Sequence, residues 1–463
     1  MRTPAIPQIM KTRIATALSL AFSKHPLHEQ SFNYDLLSSI PFTRHLALLI
    51  CLAVVALPTL LMAQAGSLDR TFGNGGIVTT NFGGENNTIA NATAIQSDGK
   101  ILVAGSIPNN QGFGELGVAR YRTNGSLDPT FGQGGIVVTA ETVPLSAFGI
   151  AIQSDGKILV GGARFLSVDA IRYNTDGSLD TTFGSGGIAS IRPFPPTAFD
   201  AGTGGLALQL DGKILVAAGQ ALVRFLGNGQ VDSSFGTGGV APLVADATAI
   251  RLLSTGKILI ASSFNSLVPV ASGTIARYNS NGSLDTGFAL NGQISTVGPA
   301  SAIQPLSNGK FIVAGSFAAS IGTPPAPNHY GLALTRYNSN GIVDTTFGTE
   351  GGVVTPIAGT TNAVAFALTI QSNGEIVVAG QAGNQPPDGP SSFALARYTA
   401  NGQLDITFGT NGTVTTAFGS HTAFVSALDI QSDGKIVAVG NDEVINGNGS
   451  VADSFALARY LSQ

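Results

Sequence analysis

The chain has 463 residues, 60 of them glycine, with charged residues at 11%, hydrophobic residues at 43% and no tryptophan. Glycine stands near twice the usual ~7% and charge well below the usual ~25%, while the apolar content suffices for a large core and argues against disorder. A net charge of −4 excludes a broad basic footprint for nucleic acid, and the single cysteine, Cys51, excludes a disulfide framework and a multi-cysteine metal site.

Residues 1–65 differ from the rest. Five of the 23 cations lie there, against the acids Glu29 and Asp35. Arg44 and His45 precede an apolar run over 46–62, and Ala63-Gln64-Ala65 follows it. A positive flank, an apolar core and small residues at the −3 and −1 positions have the order of a secretory signal peptide, which predicts cleavage after Ala65. An uncleaved membrane anchor is the alternative, although the run is short for ~30 Å of hydrocarbon and contains Pro58. The long stretch before the run points to a start later than Met1.

From Leu68 onward three units recur seven times each. The first is Leu/Val-Asp-x-x-Phe, usually followed by Gly-x-x-Gly, as in Leu68-Asp69-Arg70-Thr71-Phe72. The second is of the type Gln96-Ser97-Asp98-Gly99-Lys100-Ile101, and the third of the type Ala119-Arg120-Tyr121. Each repeat predicts four short strands: Ala94–Gln96, Lys100–Gly105, Val118–Tyr121 and Ser126–Phe131 in the first. Ser97-Asp98-Gly99 suits a three-residue hairpin loop with glycine in the left-handed region, and Asn124-Gly125 supplies a second turn. No apolar period of 3.6 residues is sustained.

Four-stranded units repeated this many times predict an all-β fold, a seven-bladed β-propeller. The array begins with a Leu-Asp-x-x-Phe unit and stops just after Ala458-Arg459-Tyr460, so the two end fragments add up to one blade and the ring is expected to close with an N-terminal strand. The expected division is an extension and signal at 1–65 and a propeller at 66–463. Within it, 66–80 is the outer strand of blade 7, and blades 1 to 7 occupy 90–140, 147–191, 204–244, 245–297, 299–358, 363–418 and 423–463. The alternation of L-D-x-x-F-G-x-x-G, Q-S-D-G-K-I-x-V-A-G and A-R-Y-x-x-N-G resembles the delta-60 repeat family of bacterial proteins across 66–463. That resemblance implies a propeller, often exported or surface-associated, with no established activity. Phe225 in place of tyrosine, Glu375 in place of lysine, and Phe288-Ala289-Leu290-Asn291-Gly292 depart from the pattern.

Arginine and aspartate stand eight residues apart in six repeats: Arg120 and Asp128, Arg172 and Asp180, Arg224 and Asp232, Arg277 and Asp285, Arg336 and Asp344, Arg397 and Asp405. A three-residue loop sets each pair directly opposite, and Arg459 with Asp69 is the seventh. Opposite charges across a ladder contribute about 0.2–1 kcal/mol. Sevenfold repetition assigns these to the scaffold, as structural ion pairs rather than seven binding sites. The seven phenylalanines of the Asp-x-x-Phe units are expected to pack between blades.

Both tight turns of each repeat are expected on one face of the ring and the variable connections on the other. Ser316–Gly331, Gly383–Ser392 and Asn441–Ser454 are long, and loops on a rigid scaffold are where binding residues collect. His329, Tyr330, Asp388, His421, Asp442 and Glu443 are therefore the candidate binding residues. No catalytic residue is assigned: neither histidine has a ligand spacing, and no Gly-x-Ser-x-Gly elbow is present. Asp442, Glu443, Asn446, Asn448 and Asp453 suggest calcium, which takes about six to eight oxygens, but lack the EF-hand order, so no metal or cofactor is assigned. The expected function is that of an exported non-catalytic binding or structural module. It is expected to be a monomer that is secreted, on the cell surface or periplasmic, with a protein or glycan partner and no nucleic acid. The alternatives are a hydrolase or lyase with its site in the central channel on the loop-rich face, and a calcium- or glycan-dependent adhesin.

Overall fold

The computed structural model describes residues 64–82, 88–108, 114–139, 145–164, 167–193, 204–263, 273–296, 298–318, 330–384, 390–445 and 451–463. The apolar run and most of the signal expectation lie outside these residues. The described residues form 28 strands and no helix.

The first strand, β1 (Ile77–Thr80), is separate from the six blades that follow it. Blade 1 is β2 (Ile89–Ile95), β3 (Ile101–Pro108), β4 (Gly114–Tyr121) and β5 (Ile136–Thr139). Blade 2 is β6 (Leu145–Ile152), β7 (Ile158–Arg164), β8 (Ser167–Tyr173) and β9 (Ile188–Ile191). Blade 3 is β10 (Gly204–Leu208), β11 (Ile214–Ala218), β12 (Ala221–Phe225) and β13 (Val240–Pro242). Blade 4 is β14 (Asp246–Leu252), β15 (Ile258–Ser263), β16 (Gly273–Tyr278) and β17 (Gln293–Thr296). Blade 5 is β18 (Ala300–Pro305), β19 (Phe311–Ala318), β20 (Tyr330–Tyr337) and β21 (Gly352–Thr355). Blade 6 is β22 (Asn362–Ile370), β23 (Ile376–Gly383), β24 (Ser392–Tyr398) and β25 (Thr413–Thr416). Blade 7 has β26 (Thr422–Ile430), β27 (Ile436–Ile445) and β28 (Val451–Tyr460), and its fourth strand is β1, paired antiparallel with β28 from Ile77 opposite Ala458 to Thr80 opposite Phe455.

The protein is thus a propeller of seven four-stranded antiparallel blades around a common axis. The first strand of each blade lies innermost. The middle strands are buried on both faces, so Ile101-Leu102-Val103-Ala104 reads as an unbroken apolar run rather than an alternating one. Seven apolar clusters fill the seven blade interfaces. The one between blades 1 and 2 joins Leu102 and Val118 to Ala147 and Val160, and the one between blades 7 and 1 joins Val439 and Leu457 to Ala90 and Val103. Phe72, Phe131, Phe183, Phe235, Phe288, Phe347 and Phe408 are fully buried, one in each cluster.

One strand assignment is corrected. Leu-Asp-x-x-Phe is not the fourth strand but a compact turn leading into it. In blade 1 only Leu127 bridges to Tyr121, and β5 begins at Ile136. The reason is local. Asp128 accepts hydrogen bonds from the backbone and hydroxyl of Thr130, which curls the chain, and the N–H of Phe131 then donates to the Asp128 carbonyl at 3.0 Å. The turn drives the ring of Phe131 into the interface instead of along a sheet.

The two tight turns of a blade share one face. Ser97-Asp98-Gly99 and Thr123-Asn124 of blade 1 line, together with Ser432 and Asp433 of blade 7, a single groove of about 450 Å³. Gly125 sits there with φ +87°, and a Cβ on it would stand 2.8 Å from the Gly73 nitrogen of blade 7. Glycine is required twice over, by the turn and by the neighbouring blade.

Candidate functional site

The repeated charges form a network that stays inside the scaffold. The Nε of Arg172 donates to Asp180 Oδ2 at 2.7 Å, and its Nη1 donates to the Gly227 carbonyl of the next blade, also at 2.7 Å. The reach to the next blade recurs in every blade, with Arg459 of blade 7 reaching the Thr123 carbonyl of blade 1, and in blade 1 Arg120 and Asp128 meet as an ion pair at 2.9 Å. Each guanidinium also lies over the phenylalanine of its own blade, with 4.3 to 4.8 Å from Cζ to the ring centroid. The turn lysine joins the aspartate in six blades, as Lys157 does with Asp180 at 2.7 Å. In blade 6 the order inverts: Glu375 approaches Arg397 at 3.1 Å, opposite Asp405 at 2.7 Å.

Burial alone would push these aspartates up. Hydrogen bonds from the residue two positions on, and the charge of the arginine, outweigh it and hold Asp69, Asp128 and Asp232 at about 2. A second ring of links was not legible in the arginine and aspartate pattern. The Tyr121 hydroxyl donates to Thr80 Oγ1 at 2.8 Å, Tyr398 to Thr355 at 2.7 Å and Tyr460 to Thr416 at 2.8 Å, each tying a blade to the outer strand before it.

The candidate binding residues fare unequally. His329 and Asp388 lie outside the described residues. Tyr330 is half-buried at the start of β20, with its N–H donating to the Thr361 carbonyl at 3.3 Å. The other three gather on blade 7, where β27 and β28 run ten residues each. His421 Nδ1 stands 3.1 Å from Asp442 Oδ1. Burial pushes the Asp442 carboxyl up, against the opposing influence of His421. Strand alternation sends the next residue to the other face of the sheet. There Glu443 is directly opposite Asp453, and both burial and the Asp453 charge push the Glu443 carboxyl up. Asn441, two residues before Glu443, accepts a hydrogen bond from the Ala90 N–H of blade 1 at 2.7 Å and is buried. The candidates therefore form a histidine–aspartate pair facing blade 6 and a carboxylate pair facing blade 1. Asn446 and Asn448 lie outside the described residues, and among the described residues no three His, Cys, Asp or Glu side chains cluster as a metal site.

Residues that break the repeat elsewhere escaped the sequence reading. Asp169 is fully buried on β8 where other blades carry glycine, alanine or threonine, and it meets Arg164 at 3.1 Å. Arg251 and Asp429 stand on the inner strands β14 and β26. The available signal was a charge at a position where the earlier repeats have alanine.

A family described as a domain of unknown function (DUF5122) β-propeller matches residues 96–131, 153–183, 209–235, 253–288, 306–347, 371–408 and 431–462. No curated protein matches the chain. Among solved structures, the chain is similar to a catalytically inactive virginiamycin B lyase from Staphylococcus aureus, with 12% identity, a TM-score of 0.46, and coverage of 83% of this chain and 99% of that one. It is also similar to the NanB sialidase from Streptococcus pneumoniae, with 8% identity, a TM-score of 0.40, and coverage of 94% and 73%. A protein of unknown function from Bacteroides caccae matches at 14% identity and a TM-score of 0.35, over 59% of this chain and 88% of that one.

Proposed function

The chain belongs to the DUF5122 β-propeller family, and from that premise we propose that it works as an exported, non-catalytic binding module built from repeats of the delta-60 type. The observation that carries this reading is the pairing of Glu443 with Asp453 on the extended β27–β28 hairpin. Two carboxylates directly opposite on neighbouring strands destabilise a sheet. The other repeated charges of the molecule are arranged to stabilise it, so a costly pair points to use rather than support. The hairpin end lies on the face opposite the tight turns, where the variable connections emerge. A cationic segment of a protein or a basic glycan, met outside the cytoplasm by a monomer, fits that end.

The test is a glycan array and an envelope pull-down with the full chain, beside a Glu443→Gln, Asp453→Asn double variant. The expected result is a partner that the double variant loses while it still melts cooperatively. The His421–Asp442 contact favours a second reading, an enzyme in which Asp442 orients His421 as a base. Turnover of any retained ligand, abolished by His421→Ala, would replace the first reading with the second.

A further inference from the structure

The seven inner strands line the central channel. One residue before the end of each, at the mouth on the tight-turn face, the repeats hold equivalent positions. Blades 1 to 3 place Ala94, Ala151 and Ala207 there, whereas blade 4 places Arg251, blade 5 Gln304 and blade 7 Asp429. Residues repeated around the ring serve the ring. Two opposite charges that break the repeat at its axis are not explained by the repeat.

Both charged groups are half-buried and held in place. Arg251 donates through Nε to Gln304 Oε1 at 3.2 Å and through Nη1 to its neighbour's carbonyl, Ile250 O, at 2.9 Å. Those contacts use two of its five N–H donors. Asp429 accepts the Ile95 N–H of blade 1 at 3.1 Å and the Ile430 N–H at 2.8 Å, which leaves a lone pair on each oxygen. Among the described residues no carboxylate comes within 4.0 Å of the Arg251 guanidinium, so the two groups are not an ion pair. They stand at equivalent places on inner strands three blades apart, Arg251 bonded to Gln304 of blade 5 and Asp429 to the backbone of blade 1, so the channel mouth lies between them. A fixed cation and a fixed anion therefore stand on opposite sides of the ring at one mouth of the channel.

We propose that this mouth of the channel binds a small zwitterion, a molecule carrying one carboxylate and one ammonium group. The ligand carboxylate takes the spare Nη donors of Arg251 in a charge-assisted pair, with Gln304 holding the guanidinium plane. The ligand ammonium sits at Asp429. The site is separate from the blade 7 hairpin, and its success or failure leaves the hairpin reading untouched.

The experiment is calorimetry on the full chain with glycine, β-alanine, 4-aminobutyrate and 6-aminohexanoate, beside acetate and methylammonium as half-ligands. One spacing should bind about tenfold tighter than acetate, and Arg251→Gln and Asp429→Asn should each remove about that tenfold. Absence of binding by all four zwitterions overturns the proposal, as does binding that both variants retain. Should a variant fail to melt cooperatively, the tightest probe soaked into crystals of the parent decides: a carboxylate at Arg251 supports the proposal, and density elsewhere overturns it.

Discussion

In six blades the residue two past the turn aspartate is threonine or serine, and its hydroxyl donates to the aspartate, as from Thr182 to Asp180 at 2.6 Å. Blade 4 has Gly287 at that place. A Cβ added to Gly287 would meet only Asp285 Oδ1, at 3.5 Å, which is ordinary contact. Gly287→Thr should therefore restore the hydrogen bond and reduce the freedom of the unfolded chain, raising stability by about 1 kcal/mol, read as a later urea midpoint. The aspartates also set an acid limit. Their carboxyls are lowered in the folded state at Asp69, Asp128, Asp180, Asp232, Asp285, Asp344 and Asp405. A carboxyl lowered by folding adds stability that is complete above its unfolded value and is lost as pH falls through its folded one. Urea midpoints should accordingly hold down to about pH 4 and drop steeply toward about pH 2. A midpoint unchanged across that window would mean the network contributes nothing.

At the scale of the strand, the β27–β28 hairpin carries a local conflict, Glu443 opposite Asp453. Glu443→Gln removes the repulsion with Asp453 and should stabilise the protein by about 0.2–1 kcal/mol at neutral pH. The Glu443 carboxyl is raised by folding, so its penalty operates above its folded pKa and fades as pH falls. The gain from the variant should shrink in acid, which urea unfolding at two pH values would read. The pairing was only half legible in the sequence: Glu443 was visible as a loop acid, but its partner depended on the length of β27, which turn residues did not reveal. The Asp-x-x-Phe segments misled for a related reason. Their spacing suits a strand, and what bends them is a side chain bonding its own backbone. The departure at Phe225 has a partner the sequence did not connect with it. The outer-strand position that receives the tyrosine hydroxyl elsewhere is Ile191 in the preceding blade, and Phe225 packs in the same cluster as Ile191. A lost donor and a lost acceptor are replaced by apolar contact, which is close to neutral.

At the scale of the whole molecule, the blade count and the four-stranded unit were legible because every repeat states them again. Residues that appear once, such as Arg251 and Asp429, were hidden by the same regularity, since a single charge in a strand carries no period. In blade 6, Gly402 N–H bonds the Thr399 carbonyl and the Asn401 carbonyl accepts from Gly348 of blade 5. In blade 7 the same two places are filled from opposite ends of the chain: Gly66 N–H bonds the Leu461 carbonyl, and the Ala65 carbonyl accepts from Gly409 of blade 6. One turn is thus assembled from Ser462 on one side and Ala65-Gly66 on the other. The cut can then be moved to the equivalent turn of another blade. A circular permutant joining Ser462 directly to Ala65, and opened instead between Ser280 and Asn281, should melt cooperatively within a few degrees of the parent. The same cut made inside β15 should not fold. A domain fused after Gln463 therefore starts from a tight turn, on the same face of the ring as the Ser97-Asp98-Gly99 loop.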